Sequence, residues 1–260
     1  MNGFKRALIS VLDCCLPKVL KNSLFHLSYH LARPEYERFA HLYSFAPHME
    51  FGLAAMAPRF TPKTIVDVGA FEGSWSRMAR KIWPTSRLIM IEPNRAKEEQ
   101  LRKLSQDINA TLHCELLGQD DGKEVQFHLM ESGSSILEER SGVPRKTETR
   151  RLRSLDSLLG SVEAPGLLKI DAQGYELRIL EGASGLLPKF EAVLMEVAVI
   201  EINEGAPLLH EVVAFMKARG FVAYDILEIH RRPLDRALNQ VDILFLREQS
   251  PLIADKRHYA

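Results

Sequence analysis

The sequence predicts a doubly wound α/β domain, a mostly parallel sheet with helices on both faces. Three observations point there. Short apolar runs bounded by turn residues recur from residue 64 onward, and amphipathic charged stretches alternate with them. The first run ends in a glycine turn, Asp67-Val68-Gly69, that leads straight into a helical pattern. The 260 residues suffice for one such domain with extra elements.

Residues 1–60 differ from the rest. They are helix-prone, rich in Leu, Phe, His and Tyr, and hold no strand pattern; Pro34, Pro47 and Pro58 divide them into three helical pieces. The expected organisation is a helical N-terminal extension or site cover over 1–60, a nucleotide-type domain over 61–250 and a tail over 251–260. Within the domain, residues 64–69 read as a buried strand and 74–82 as a helix ended by Trp83-Pro84. A second strand over 87–92 is stopped by Pro93-Asn94, and 95–108 is a charged amphipathic helix. A third strand is expected over 110–117, a turn over 118–122 and a further strand or hairpin arm over 124–131. Residues 132–153 read as loops with one edge strand, the basic alternating run KTETRRLR, taken as solvated. A short helix over 154–159 follows, then a fourth strand over 166–171, a helix from 175 and a fifth strand over 191–199. A helix over 207–219 stops at Gly220. Strands over 221–228 and 241–246 complete the pattern.

Composition narrows the function. Lys+Arg and Asp+Glu both number 34, so no net field favours nucleic acid or an anionic membrane. Cys14, Cys15 and Cys114 show neither metal-ligand spacing nor a disulfide framework, which fits a reducing, cytoplasmic setting. The apolar run Ala7-Leu8-Ile9-Ser10-Val11-Leu12 is broken by Asp13 and is too short to span a bilayer, so no stable membrane insertion is expected.

In sheets of this kind a ligand lies beyond the carboxyl ends of the strands. Asp67, Gly69, Glu92, Gly118, Gln119, Asp171 and Glu196 stand at or near those ends. In Asp67-Val68-Gly69-Ala70-Phe71-Glu72-Gly73, Gly69 permits a tight turn, Gly73 permits close backbone approach, and the helix behind offers free N–H groups. Glu92, followed by Pro93, can accept both hydroxyls of a ribose. A dinucleotide turn wants glycine where this chain has Phe71, because the diphosphate must touch the backbone. S-adenosylmethionine carries no phosphate, and Asp67 can meet its α-amino group directly or through water. The pattern therefore favours S-adenosylmethionine over NAD. The plainer alternative is that the glycines only turn the chain and the carboxylates only cap helices.

An ordered set of segments carries a resemblance. IVDVGAFEGSWS (65–76), IEPN (91–94), SSIL (134–137), SLDSLL (154–159) and LLKIDAQGYELRILEGA (167–183) are followed by EGAPLLHEVVAFMKARGF and QVDILFL. Over residues 60–247 the chain resembles the FkbM-type methyltransferase family, most specifically in the KIDxxGxE segment. The resemblance implies a Rossmann-like, seven-stranded methyltransferase sheet whose last strand, 241–246, is antiparallel. It implies S-adenosylmethionine as methyl donor and oxygen methylation of a small molecule, sugar or glycan, with Ser134 and Ser135 lining the pocket. Gln173 stands where many members have Glu, so a carboxylate is missing beside the site.

Transfer to an alcohol needs alignment and a proton acceptor. Asp171, at the end of a buried strand, is the first candidate as base, ligand or substrate anchor; capping the next helix is its alternative. Glu176, in the first helical turn, reads as structural. Glu196 is costly to bury unpaired and should reach the site or a partner. Asp171 and Glu196 together could hold Mg²⁺, but two carboxylates do not define a metal site. His230, expected in a loop after the sixth strand, is the best histidine base; Arg231 and Arg232 beside it could hold an anionic acceptor. Two other readings remain: an NAD-dependent oxidoreductase and a non-catalytic cofactor-binding module. The partner expected is a small-molecule or saccharide acceptor, with room for a homo-oligomer.

Overall fold

All five residues of Thr64–Val68 and of Gly166–Ile170 are buried, a pattern met only by strands covered on both faces. The computed structural model describes Leu20 and residues 47–130, 133–140 and 142–258. The chain divides into two compact units, Met1–Phe51 and Gly52–Ala260. Leu20 apart, the helical pieces expected before Pro47 lie outside the described residues.

In chain order the elements are α1 (Met49–Met56), β1 (Thr64–Val68), α2 (Ser74–Ile82), β2 (Arg87–Ile91), α3 (Glu98–Asp107), β3 (Ala110–His113), β4 (Leu116–Leu117), β5 (Glu124–Leu129) and β6 (Lys146–Arg153). Then follow α4 (Leu155–Leu159), β7 (Gly166–Ile170), α5 (Glu176–Glu181), β8 (Phe190–Ala198), α6 (Leu209–Ala218), β9 (Phe221–Arg231) and β10 (Leu238–Arg247). As expected, α1 lies between Pro47 and Pro58.

Seven strands form the main sheet in the order β3-β2-β1-β7-β8-β10-β9. β3, β2, β1, β7 and β8 pair in parallel, and β10 is antiparallel to both its neighbours. The antiparallel last strand is thus where the resemblance placed it. The order reverses between β1 and β7, so the carboxyl ends of β1, β2 and β7 open a crevice. On one face Val66, Ile89, Leu168 and Val193 pack with Leu155 and Ile179 in the main core. Each such side chain contributes about 1.5–3 kcal/mol by leaving water.

Three expectations need correction. The third strand is not continuous over 110–117. Its pairing with β2 ends at His113, and Leu116 and Leu117 instead pair with Leu152 and Arg153 of a separate three-stranded sheet, β4-β6-β5. The run KTETRRLR is central in that sheet's strand order rather than an edge strand, although Lys146–Arg151 pair only with β5 and Leu152 and Arg153 only with β4, so each residue keeps one side unpaired by a strand, as an edge would. The sixth strand does not stop at residue 228. Antiparallel pairing with β10 carries it on to Arg231, which puts His230 on a strand opposite Gln240, not in a loop. Among the described residues no helix is long and apolar enough to cross a membrane.

Candidate active site

Two turns build the site, one after β1 and one after β7. Gly69 has φ +75°, and a Cβ there would stand 1.9 Å from the Asp171 carbonyl oxygen. The glycine is required because the two turns touch through backbone. Gly69 and Ala70 N–H groups donate to Ile91 O at 2.9 and 3.2 Å, which fixes the turn against β2. Phe71 takes a left-handed φ of 48°, unusual for a bulky residue. It is held there by Glu92, whose Oε2 accepts its N–H at 2.7 Å. The other oxygen of Glu92 accepts the Asn94 N–H at 2.8 Å. Burial pushes the Glu92 carboxyl above its ordinary value, against these two donors.

The second turn runs from Asp171 to Glu176. Glu176 is buried, and its Oε1 accepts the N–H groups of Ala172 (2.9 Å) and Gly174 (3.0 Å). Burial pushes it up to about 7. Between them Gln173 holds a second left-handed non-glycine backbone, φ 51°. Its carbonyl accepts from Ser135 Oγ and Asn203 Nδ2, both at 2.9 Å. Its amide Nε2 donates to Asp171 Oδ1 at 3.0 Å and to Glu196 Oε2 at 2.6 Å. Gln240 Nε2 donates to the same Glu196 oxygen at 2.8 Å. Burial pushes Glu196 up to about 9, and the charges of Asp171, Asp242 and Glu176 act the same way.

Lys169 ties the turns together. Its Nζ donates to Gly69 O at 2.9 Å and lies 3.3 Å from Asp67 Oδ1 and 3.5 Å from Asp171 Oδ2. Burial alone would lower its pKa; the Asp67 and Asp171 carboxylates outweigh burial and raise it. Asp67 is fully buried, and its Oδ2 accepts from Ser76 Oγ at 2.6 Å.

The cleft over these turns is walled by apolar side chains, among them Ile91, Leu117, Phe127, Ile136 and Ile179. Its polar groups include the carboxylates of Glu92, Glu115 and Asp171, and no lysine or arginine lines it among the described residues. Glu115 also pairs with Arg153 at 3.7 Å.

Of the residues expected at the site, the structure gathers Gly69, Phe71, Glu92, Pro93, Ser134, Ser135 and Asp171 around this cleft. Ala70 is buried against α3, with Leu101 and Leu104. Asp67, Gln173 and Glu196 stand behind the lining, in the network just described. The hydroxyls of Ser134 and Ser135 are spent on the loop: Ser134 Oγ donates to Met130 O and Ser135 Oγ to Gln173 O.

Several placements depart from expectation. Gly73 does not line the cleft. A Cβ there would meet Leu104 Cδ2 at 2.1 Å, so its clearance serves the packing of α3. Gly118 and Gln119 are replaced by Glu115, Leu116 and Leu117, because the chain leaves the main sheet after His113 and passes the cleft earlier. Gln119 accepts from Arg178 at the edge of another groove. His230 and Arg231 lie away from the cleft on β9. His230 Nε2 is 2.7 Å from Asp242 Oδ2, and that hydrogen bond raises the His230 pKa. Arg231 donates to Arg236 O and Arg232 pairs with Asp235, so the β9–β10 turn consumes both cations.

Lys169, Asp242 and Gln240 went unmarked in the sequence. Lys169 had a signal: a lysine inside the apolar strand Leu167-Leu168-Lys169-Ile170 must find carboxylates. Gln240 and Asp242 gave none without the strand register.

S-adenosylmethionine fits this lining. The apolar wall suits a flat base, the Glu92 carboxylate can accept ribose hydroxyls, and three lining carboxylates suit a ligand bearing a sulfonium and an ammonium. A dinucleotide diphosphate would meet three carboxylates and no lining cation.

No curated protein matches the sequence significantly. Solved structures similar to this chain include a methyltransferase FkbM from Methylobacillus flagellatus KT, with 16% identity over 70% of this chain and 43% of that one, TM-score 0.45. Others are a precorrin-6y C5,15-methyltransferase from Geobacter metallireducens GS-15 (12% identity, 76% and 88% covered, TM-score 0.44) and an rRNA methylase from Streptococcus thermophilus (11%, 76% and 95%, TM-score 0.45). The chain spans less than half the length of the Methylobacillus protein. The model of the methyltransferase FkbM domain matches residues 67–223, from the buried Asp67 through both turns to β9. That match covers more than half of the chain, and the chain belongs to the FkbM methyltransferase domain family.

Proposed function

We infer that the chain is an S-adenosylmethionine-dependent O-methyltransferase acting on a hydroxyl of a small molecule, sugar or glycan. The observation that carries this reading is the lining of the cleft: apolar walls, three carboxylates and no lysine or arginine, set at the ends of β1, β2 and β7. Membership of the family supports methyl transfer; the oxygen acceptor is our reading.

When bound, the cofactor supplies an electrophilic methyl group. The protein's part is positioning and proton handling. Glu92 is fixed by two backbone donors and can receive ribose hydroxyls on its remaining lone pairs. Asp171 lines the cleft with a side chain 36% exposed, so an acceptor hydroxyl can reach it. Asp171 would accept the proton that the acceptor hydroxyl gives up as it is methylated. Lys169 and Gln173 hold that carboxylate in place.

The test is incubation of the full chain with methyl-labelled S-adenosylmethionine and a panel of saccharides and metabolite extracts. Label in an O-methyl ether is the expected product. Label in an amine, or none from a chain that binds the cofactor, overturns the O-methyl reading.

A further inference from the structure

Glu228 and His230 are two residues apart on β9 and share one face of the sheet. Asp242 sits on β10 directly opposite Glu228, and Gln240 opposite His230. One ligand atom from each of Glu228, His230 and Asp242 lies within 4.8 Å of the others. His230 Nε2 and Asp242 Oδ2 are 2.7 Å apart. Two ligands bound side by side to one ion at about 2.0–2.2 Å stand about 3 Å apart, so the pair needs to open by only a few tenths of an ångström.

We propose that Glu228, His230 and Asp242 form a binding site for a divalent cation of the Mn²⁺, Co²⁺ or Zn²⁺ kind. One imidazole with two carboxylates suits such ions, whereas Mg²⁺ and Ca²⁺ prefer oxygen alone. The strands fix the spacing, because antiparallel register holds opposite side chains about 5 Å apart. The surroundings favour a cation as well. Asp242 is only 9% exposed, and a buried carboxylate needs positive charge beside it, which protonated His230 supplies and a bound ion would supply in its place. Lys169 is committed to Asp67, Asp171 and Gly69 O. On its other side Asp242 faces a third carboxylate, Glu196 of β8.

The face continues toward the cleft. Glu196 is linked through the Gln173 amide to Asp171. β9 runs in the same direction as β8, so the site stands at the same edge of the sheet as the two turns. The binding of the ion does not rest on the methyl-transfer reading.

The test uses the metal-free full chain, titrated with Co²⁺ by calorimetry and by visible absorption, with Mn²⁺ and Mg²⁺ as comparisons. One equivalent of Co²⁺ with bands of nitrogen-oxygen ligation is expected, with Mg²⁺ a poor competitor. His230→Gln and Asp242→Asn should each weaken Co²⁺ about 10–100-fold. Glu228→Gln, at an exposed position, should weaken it too and guards against variants that fail to fold. No saturable Co²⁺ binding, or binding that all three variants leave intact, overturns the site. Co²⁺ bound by a chain that does not bind S-adenosylhomocysteine would keep the site and refute the methyl-transfer reading.

Discussion

Lys169 Nζ lies 3.3 Å from Asp67 Oδ1, and the two side chains are 9% and 0% exposed. The pair joins neighbouring parallel strands directly beneath both turns of the cleft. Removing one partner leaves a buried charge uncompensated. Lys169→Met should cost about 3–5 kcal/mol, and the double variant Asp67→Asn with Lys169→Met should cost clearly less. Urea denaturation of the parent, both single variants and the double variant measures the coupling. A double variant that loses as much as the two single variants together would mean that the two residues are not coupled.

The two glycines of the first turn should respond differently. Both have positive φ, so alanine costs each about 1–2 kcal/mol. At Gly69 the new Cβ also meets a carbonyl oxygen that cannot move without parting the two turns. At Gly73 it meets the end of a flexible leucine. Gly69→Ala should lower the melting temperature more and abolish cofactor binding. Leu104→Ala should relieve part of the Gly73→Ala defect. A Gly73→Ala chain that melts normally yet binds no cofactor would return Gly73 to the ligand.

Glu176 predicts a pH dependence of stability. Its folded pKa of about 7 lies above the ordinary carboxyl value of 4.5, because burial opposes the charge. The folded chain therefore binds this proton more tightly than the unfolded one. The stability it contributes is complete below about 4.5 and is lost as pH rises through about 7. Glu176→Gln keeps a carbonyl for the Ala172 and Gly174 N–H groups and removes the titration. Its stability relative to the parent should improve by up to roughly 3 kcal/mol between pH 4.5 and 8. A difference that stays flat with pH contradicts the assignment.

The sheet was readable because β1, β2, β7 and β8 are largely apolar runs with a turn signal, and β1, β2 and β7 all end at residues the sequence marked. The turn at Gly69 and the carboxylate at Glu92 were readable for the same reason: strand ends hold ligands in doubly wound sheets. What sequence could not supply was register. Glu115 lines the cleft instead of Gly118 because the chain leaves the main sheet at Cys114, a choice made by tertiary pairing with β6. His230 was misplaced for the same reason, since only the pairing with Gln240 extends β9 that far. Gly73 was read for a ligand when its space belongs to Leu104, a contact between residues remote in sequence.

The Gln173 amide stands between two carboxylates, Asp171 and Glu196, and donates to both. Gln173→Glu would replace that donor with a third acidic group. Each buried bond lost costs about 1–3 kcal/mol, so the variant should be destabilised, and more at pH 8 than at pH 5. Thermal melts across that range measure it. A variant as stable as the parent at pH 8 would show that the amide bridge is not needed.

Calorimetric titration of the full chain with S-adenosylhomocysteine tests the cofactor cleft most directly. One saturable site is expected, weakened by about 1–3 kcal/mol, or roughly 5- to 150-fold, in Glu92→Ala. No binding by a well-folded chain would contradict the reading of the cleft, and an unchanged affinity in Glu92→Ala would remove Glu92 from it.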